Sequence, residues 1–121
     1  QGEMPLESVC FRLLIRNERD WQDASEFVRR YLRAFASNDS VSLRIAALDP
    51  AFDASTIGAR IERLVRRLNL KEERVADIDV SDEEDAQAWI SSLRADCIDV
   101  EALEDRSPSA LRRYVRIEAA V

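Results

Sequence analysis

Two hydrophobic periods alternate along this chain. Val9 to Ile15 (VCFRLLI) is a nearly continuous apolar run broken at Arg12, the pattern of a strand buried on both faces in the middle of a parallel sheet. From Asp20 the period lengthens. Trp21, Ala24, Phe27 or Val28, Tyr31, Leu32 and Phe35 recur at three- and four-residue steps, which places them on one helical stripe, with Asp20 positioned as the N-cap. Ser37-Asn38-Asp39-Ser40 stops that helix, because these side chains compete for backbone hydrogen bonds. Val41, Leu43 and Ile45 then alternate with Ser42 and Arg44, so a second strand leaves the turn.

The pattern repeats. A loop around Asp49-Pro50 and Asp53 leads into a second helix capped by Ser55 or Thr56. Ile57, Ile61, Leu64, Val65 and Leu68 form its buried stripe and Asn69 its terminator. Val75 to Val80 alternates as a third strand with one more polar face. Ser81-Asp82-Glu83-Glu84 has the spacing of a capping box, with Ser81 as cap and Glu84 reaching back, and it opens a third helix whose inward residues are Ala86, Trp89, Ile90 and Leu93. Asp96 to Val100 reads as a short fourth strand. Ser107-Pro108 opens a last helix, Ser107 as cap and Pro108 at the first helical position, with Leu111, Tyr114 and Val115 on its face. Residues 1–7 are polar, contain Pro5 and read as a flexible segment. Gln1-Gly2 reads as a processing remnant, with the natural protein expected to extend further. Residues 8–121 read as a single Rossmann-like α/β domain. Strand–helix alternation of this kind predicts a three-layer arrangement of about four parallel strands with helices on both faces.

The composition agrees with a globular domain: 46% hydrophobic and 35% charged residues over 121 positions. A net charge of −6 disfavours nucleic acid or anionic lipid as a partner, since both select a positive face. No apolar run reaches the roughly 20 residues of a membrane span, and no signal peptide is visible. Cys10 and Cys97 fall in predicted strands and read as buried free thiols in a reducing, cytoplasmic setting.

Candidate chemistry is sparse. There is no histidine, so the commonest general base and metal ligand is missing. The only lysine, Lys71, sits at an exposed-looking connection, unlike a desolvated base. The two glycines are Gly2 and Gly58, which leaves the loop after the first strand, Arg16-Asn17-Glu18-Arg19, without the glycines that let phosphate approach a backbone. Asp77 and Asp79 share a strand face, and Asp79, Asp82 and Asp85 lie near the end of that strand. A magnesium site is chemically sensible there, but helix capping is the far stronger explanation of the acids, and neither metal nor cofactor is assigned. Arg60, Arg63, Arg66 and Arg67, interleaved with Glu62, read as a solvated helix face rather than a phosphate site. Trp21 and Trp89 fall on apolar stripes, as core residues do. No catalytic residue is assigned.

The stretch DWQDASEFVRRYLRAFASNDSVSLRIAAL, with VCFRLLI before it, resembles the start of the C-terminal Rossmann-like domain of nucleotide-sugar glycosyltransferases with the two-domain GT-B fold. The residues carrying the resemblance are Asp20-Trp21, Tyr31-Leu32-Arg33-Ala34-Phe35 and Val41 to Ile45. The later run from Trp89 to Leu93, then Ala95-Asp96 and Cys97-Ile98, is similar to the segment before that family's fourth strand. The likeness spans about residues 8–100. It implies the fold. The family's basic pair for the diphosphate, its glycine-rich donor loop and its two glutamates seven residues apart have no counterpart here. Glu118-Ala119-Ala120 is similar to the surroundings of the second glutamate, but no acid lies at the partner spacing within residues 106–110. The resemblance therefore implies a non-catalytic glycosyltransferase-like domain serving as a scaffold or interaction module, with a protein partner or a homodimer. The alternative is a fragment of such an enzyme, completed by segments outside this chain, and only that alternative implies a nucleotide sugar. A receiver-like signalling module shares the topology but needs an acid cluster after the first strand and a lysine after the fourth. Glu18 and Asp20 read as loop and cap, and no lysine follows the fourth strand.

Overall fold

The structure, a computed structural model, describes residues 9–120, with the side chains of the last helix described through Tyr114. The expected flexible segment over residues 1–7 lies outside the described residues. The chain runs β1 (Val9–Ile15), α1 (Glu18–Ala34), β2 (Val41–Ala47), α2 (Ala54–Arg67), β3 (Asp77–Asp82), α3 (Ala86–Ser92), β4 (Ile98–Asp99) and α4 (Pro108–Ala120). Short 3-10 turns at Glu72–Arg74 and Val100–Ala102 join these elements.

All four strands are parallel, in the order β3-β2-β1-β4. That order is one half of the Rossmann arrangement. The strands pair in phase: Phe11 lies opposite Leu43 and Ile98, and Leu43 opposite Ile78. Since side chains alternate along a strand, Phe11, Leu13, Ile15, Leu43, Ile45, Ile78 and Val80 share one face. The other face carries Cys10, Arg12, Ser42, Arg44, Asp77 and Asp79.

Right-handed crossovers set the layers. The β1-α1-β2 and β2-α2-β3 units step the same way across the sheet, so both helices cover the apolar face. The connection from β3 to β4 steps back, which puts α3 on the opposite face. Helix α1 packs against both α2 and α4. The centre of this layer is the fully buried Phe11 ring, 5.7 Å from Phe27, 6.1 Å from Tyr31, 6.2 Å from Phe35 and 6.0 Å from Tyr114. The Tyr31 hydroxyl donates to the Asp77 carbonyl at 2.6 Å, which ties α1 to the start of β3. Burial, with the Asp77 and Asp39 charges adding to it, pushes the Tyr31 phenol far up, so it stays a neutral donor. Arg112 of α4 donates to the Ala34 carbonyl at the end of α1. The second layer is thin: Cys10, Ser42, Ala46, Trp89 and Cys97 are buried there, outside the main apolar cluster.

Several local details differ from the sequence-based expectations. Asn17, not Asp20, caps α1: its Oδ1 accepts from the Asp20 amide, while the Asp20 carboxylate accepts from the Arg16 amide at 2.9 Å. Asp53 caps α2, accepting from the amide and the hydroxyl of Thr56. The expected capping box at Ser81 does not form, because Ser81 and Asp82 continue β3 by pairing with Ala46 and Ala47. Asp85 caps α3 instead, accepting from the Gln87 and Ala88 amides. β3 starts later than expected, since Val75 makes an isolated antiparallel bridge with Ala36. β4 shortens to Ile98–Asp99. Asn69 does end α2, in the left-handed region at φ 57°, with the Leu70 amide donating to Val65 and its own to Arg66. Ser107 accepts from the Ala110 amide as the cap of α4.

The cysteines require a larger correction. Cys10 and Cys97 are joined in a disulfide and are not free thiols. The pairing of Phe11 with Ile98 brings their two preceding residues side by side, and a separation of 87 residues hides this neighbourhood in the sequence. The bond anchors the two-residue β4 to β1. Chain-entropy arguments give a loop of this length about 4.6 kcal/mol. Urea unfolding with and without a phosphine reductant is predicted to show a loss of about that size on reduction; equal midpoints would show that β4 docks without the bond.

Candidate ligand-binding edge

In an open parallel sheet, ligands bind outside the carboxyl ends of the strands, where the strand order reverses. Here the reversal lies between β1 and β4. A cavity of about 430 Å³ opens there, lined by Leu13, Leu14, Phe27 and Val100. Its polar wall carries Asp20, Asp23, Glu26 and Glu101 against one guanidinium, Arg106. The excess of carboxylates disfavours an anion such as a diphosphate.

Helix N-termini at this edge would be the natural phosphate hosts, because their free amides and dipoles attract negative charge. At each, one or two of these amides already bond the chain's own oxygens. At α1 the Asn17 side chain takes the Asp20 amide. At α2, Asp53 holds Thr56 and Asp82 accepts from the Ala54 amide at 2.8 Å. At α3, Asp85 supplies the cap. A carboxylate–guanidinium contact joins the first two helices: Glu18 pairs in bidentate fashion with Arg60 at 2.6 and 2.8 Å. The Arg60 guanidinium stacks 5.3 Å from the Phe52 ring centre. The hydrogen bond from Arg60 holds the Glu18 carboxyl below its ordinary range and raises Arg60 in turn. Amide and hydroxyl bonds from Thr56 likewise lower Asp53. Arg94 lowers Asp96, and the Ser107 amide lowers Asp105.

The acids considered for magnesium are dispersed over separate tasks. Asp77 and Asp79 are exposed on one sheet face, Asp82 points to α2, and Asp85 caps α3. Among the described residues no group of three or more His, Cys, Asp or Glu is placed to hold a metal. Arg63, Arg66, Arg67 and Lys71 are exposed, whereas Arg60 is committed to Glu18. Trp21 lies in the main core and Trp89 is buried in the thin layer. The side chains of Glu118-Ala119-Ala120 lie outside the described residues. No described helix is long and apolar enough to cross a membrane.

One feature escapes a strand-by-strand reading. Asp79, Arg44, Arg12 and Asp99 form a row across all four strands, with Asp79 at 3.3 Å from Arg44 and Asp99 at 3.9 Å from Arg12. The signal was present: each of the first two strands carries Arg as its fourth residue, and the register begins at Val9 opposite Val41.

The lowered carboxyls set the acid limb of stability. Their folded values lie below the unfolded ones, so their contribution is complete above the ordinary carboxylate range and fades as pH falls through it. With no histidine to titrate, the melting temperature is predicted to stay flat from pH 8 to about 5 and to drop below about 4.5. Asp53→Asn keeps a capping oxygen but removes a titrating group, so it shallows that drop. A change between pH 6 and 8, or an unaltered acid limb in Asp53→Asn, would contradict this assignment. No protein-family model, curated protein or solved structure matches this chain.

Proposed function

We propose that this chain is a non-catalytic, glycosyltransferase-like Rossmann domain that works as a scaffold or interaction module. The observation that carries this reading is the occupation of the carboxyl edge: the helix N-termini that would receive phosphate are filled by Asn17, Asp53, Asp82 and Asp85. The partner is a protein, in keeping with an acidic chain of net charge −6 that suits neither nucleic acid nor anionic lipid. The Cys10–Cys97 bond is the chemistry of an oxidising compartment, and a reducing cytoplasm would hold the pair as thiols, so free-thiol titration of the protein from its native source separates the two settings.

A second reading, a nucleotide-sugar glycosyltransferase part completed by other segments, draws on the cavity at the β1–β4 reversal. Thermal shift with UDP- and GDP-sugars discriminates the two. A ligand at 100 times its dissociation constant adds about 2.7 kcal/mol of stability. No rise in melting temperature is expected at millimolar sugar nucleotide. A saturable rise, lost on narrowing the cavity from its exposed rim with Asp23→Trp, would overturn the non-catalytic reading.

A further inference from the structure

Among the described residues β3 is an edge strand, paired only with β2. Its outer side faces a groove of about 610 Å³ between the strand and α2. Val65, Leu70, Val75, Ile78 and Val80 line the groove, and each is only partly buried while packing on the core. Glu62 and Glu72 lie on its rim against a single cation, Arg66, and the start of β3 at Asp77, whose carboxylate is on the other sheet face, borders it. The edge thus offers unpaired backbone groups, an apolar floor and an excess of negative charge in one place. Edge strands of this kind are templates for an incoming strand.

A second copy of the chain does not suit it. β3 reads Asp-Ile-Asp-Val-Ser-Asp, and antiparallel self-pairing would bring like charges together along the seam. The same aspartates that repel a copy would attract a basic strand.

We propose that the β3 edge is a docking site for an extended segment of a partner protein in which lysine or arginine alternates with an apolar residue. The proposal rests on the interaction-module reading and names the surface it uses. In such a strand the apolar side chains fall on the Ile78–Val80 face and enter the groove, while the basic ones fall on the opposite face beside Asp77 and Asp79. Backbone pairing supplies the affinity, and the two-residue period supplies the selectivity.

The test uses a fluorescein-labelled peptide of lysine–valine repeats and measures anisotropy with the folded protein. Saturable binding tighter than about 1 mM is expected, which is the weak end of specific recognition. A glutamate–valine peptide and a fully N-methylated lysine–valine peptide are expected not to bind. Amide shifts in the labelled protein are expected to concentrate at residues 77–82 and along α2. Asp77→Lys and Glu62→Lys, both exposed positions, are expected to weaken binding about tenfold through charge reversal. Absence of saturation, equal binding of the N-methylated peptide, or shifts centred elsewhere would each overturn the site. Such a failure, with continued silence toward sugar nucleotides, removes the β3 site and leaves the interaction reading standing. Sugar-nucleotide binding removes the reading itself.

Discussion

The in-phase pairing of β1 with β2 is the constraint on which the rest of this structure depends. With Val9 opposite Val41, every apolar position of β1 except Cys10, which meets Ser42, lies opposite an apolar position of β2, and Arg12 meets Arg44. A slip of one residue would move both sets to the wrong face. It would set Arg12 in the aromatic layer and take Phe11 away from Phe27, Tyr31, Phe35 and Tyr114. Each such aromatic pair adds about 1 kcal/mol beyond the area it buries. The exposed ion pair of Arg44 with Asp79 contributes under about 1 kcal/mol. The register is therefore held by the rings, and the charged row follows from it.

The two faces and two edges of the sheet then acquire different roles. The apolar face carries α1, α2 and α4 and supplies the stability. Among the described residues the charged face carries only the seven-residue α3, and it is held at its β4 side by the Cys10–Cys97 bond. The carboxyl edge, the usual ligand position in such sheets, has its helix N-termini closed by Asn17, Asp53, Asp82 and Asp85. The β4 edge is two residues long. The six-residue β3 edge remains the longest unpaired stretch of backbone with apolar surface beside it among the described residues.

The parallel sheet and its helices were legible in the residues because the period changes sharply, from VCFRLLI to the Trp21–Phe35 stripe and back at Val41. The caps were legible only in part. Asp20 and Ser81 carry the right side chains for a cap, but the Arg16 amide takes Asp20 and the pairing with β2 takes Ser81 into the strand. At Ser81 local preference gives way to long-range strand pairing, whereas at Asp20 one local partner displaces another. The disulfide was hidden because the neighbourhood of Cys10 and Cys97 depends on which side of β1 the last strand joins. Strand order depends on the packing of the whole chain, beyond any local pattern. The crossing charge row needed the same information, although the matching Arg12 and Arg44 positions hinted at it. The glycine-free first loop is closed by the Asn17 and Asp20 side chains.

Residue-resolved amide hydrogen exchange of the free protein tests the account most directly. An in-phase sheet with a one-sided β3 predicts slow exchange throughout β1 and β2, at the rate set by global unfolding. It predicts alternation along Asp77–Asp82, where amides facing β2 exchange slowly and those facing outward exchange quickly. Uniform protection along β3 would show its outer side already paired or covered. Fast exchange in β1 or β2 would show that the register of Val9 with Val41 does not hold the fold.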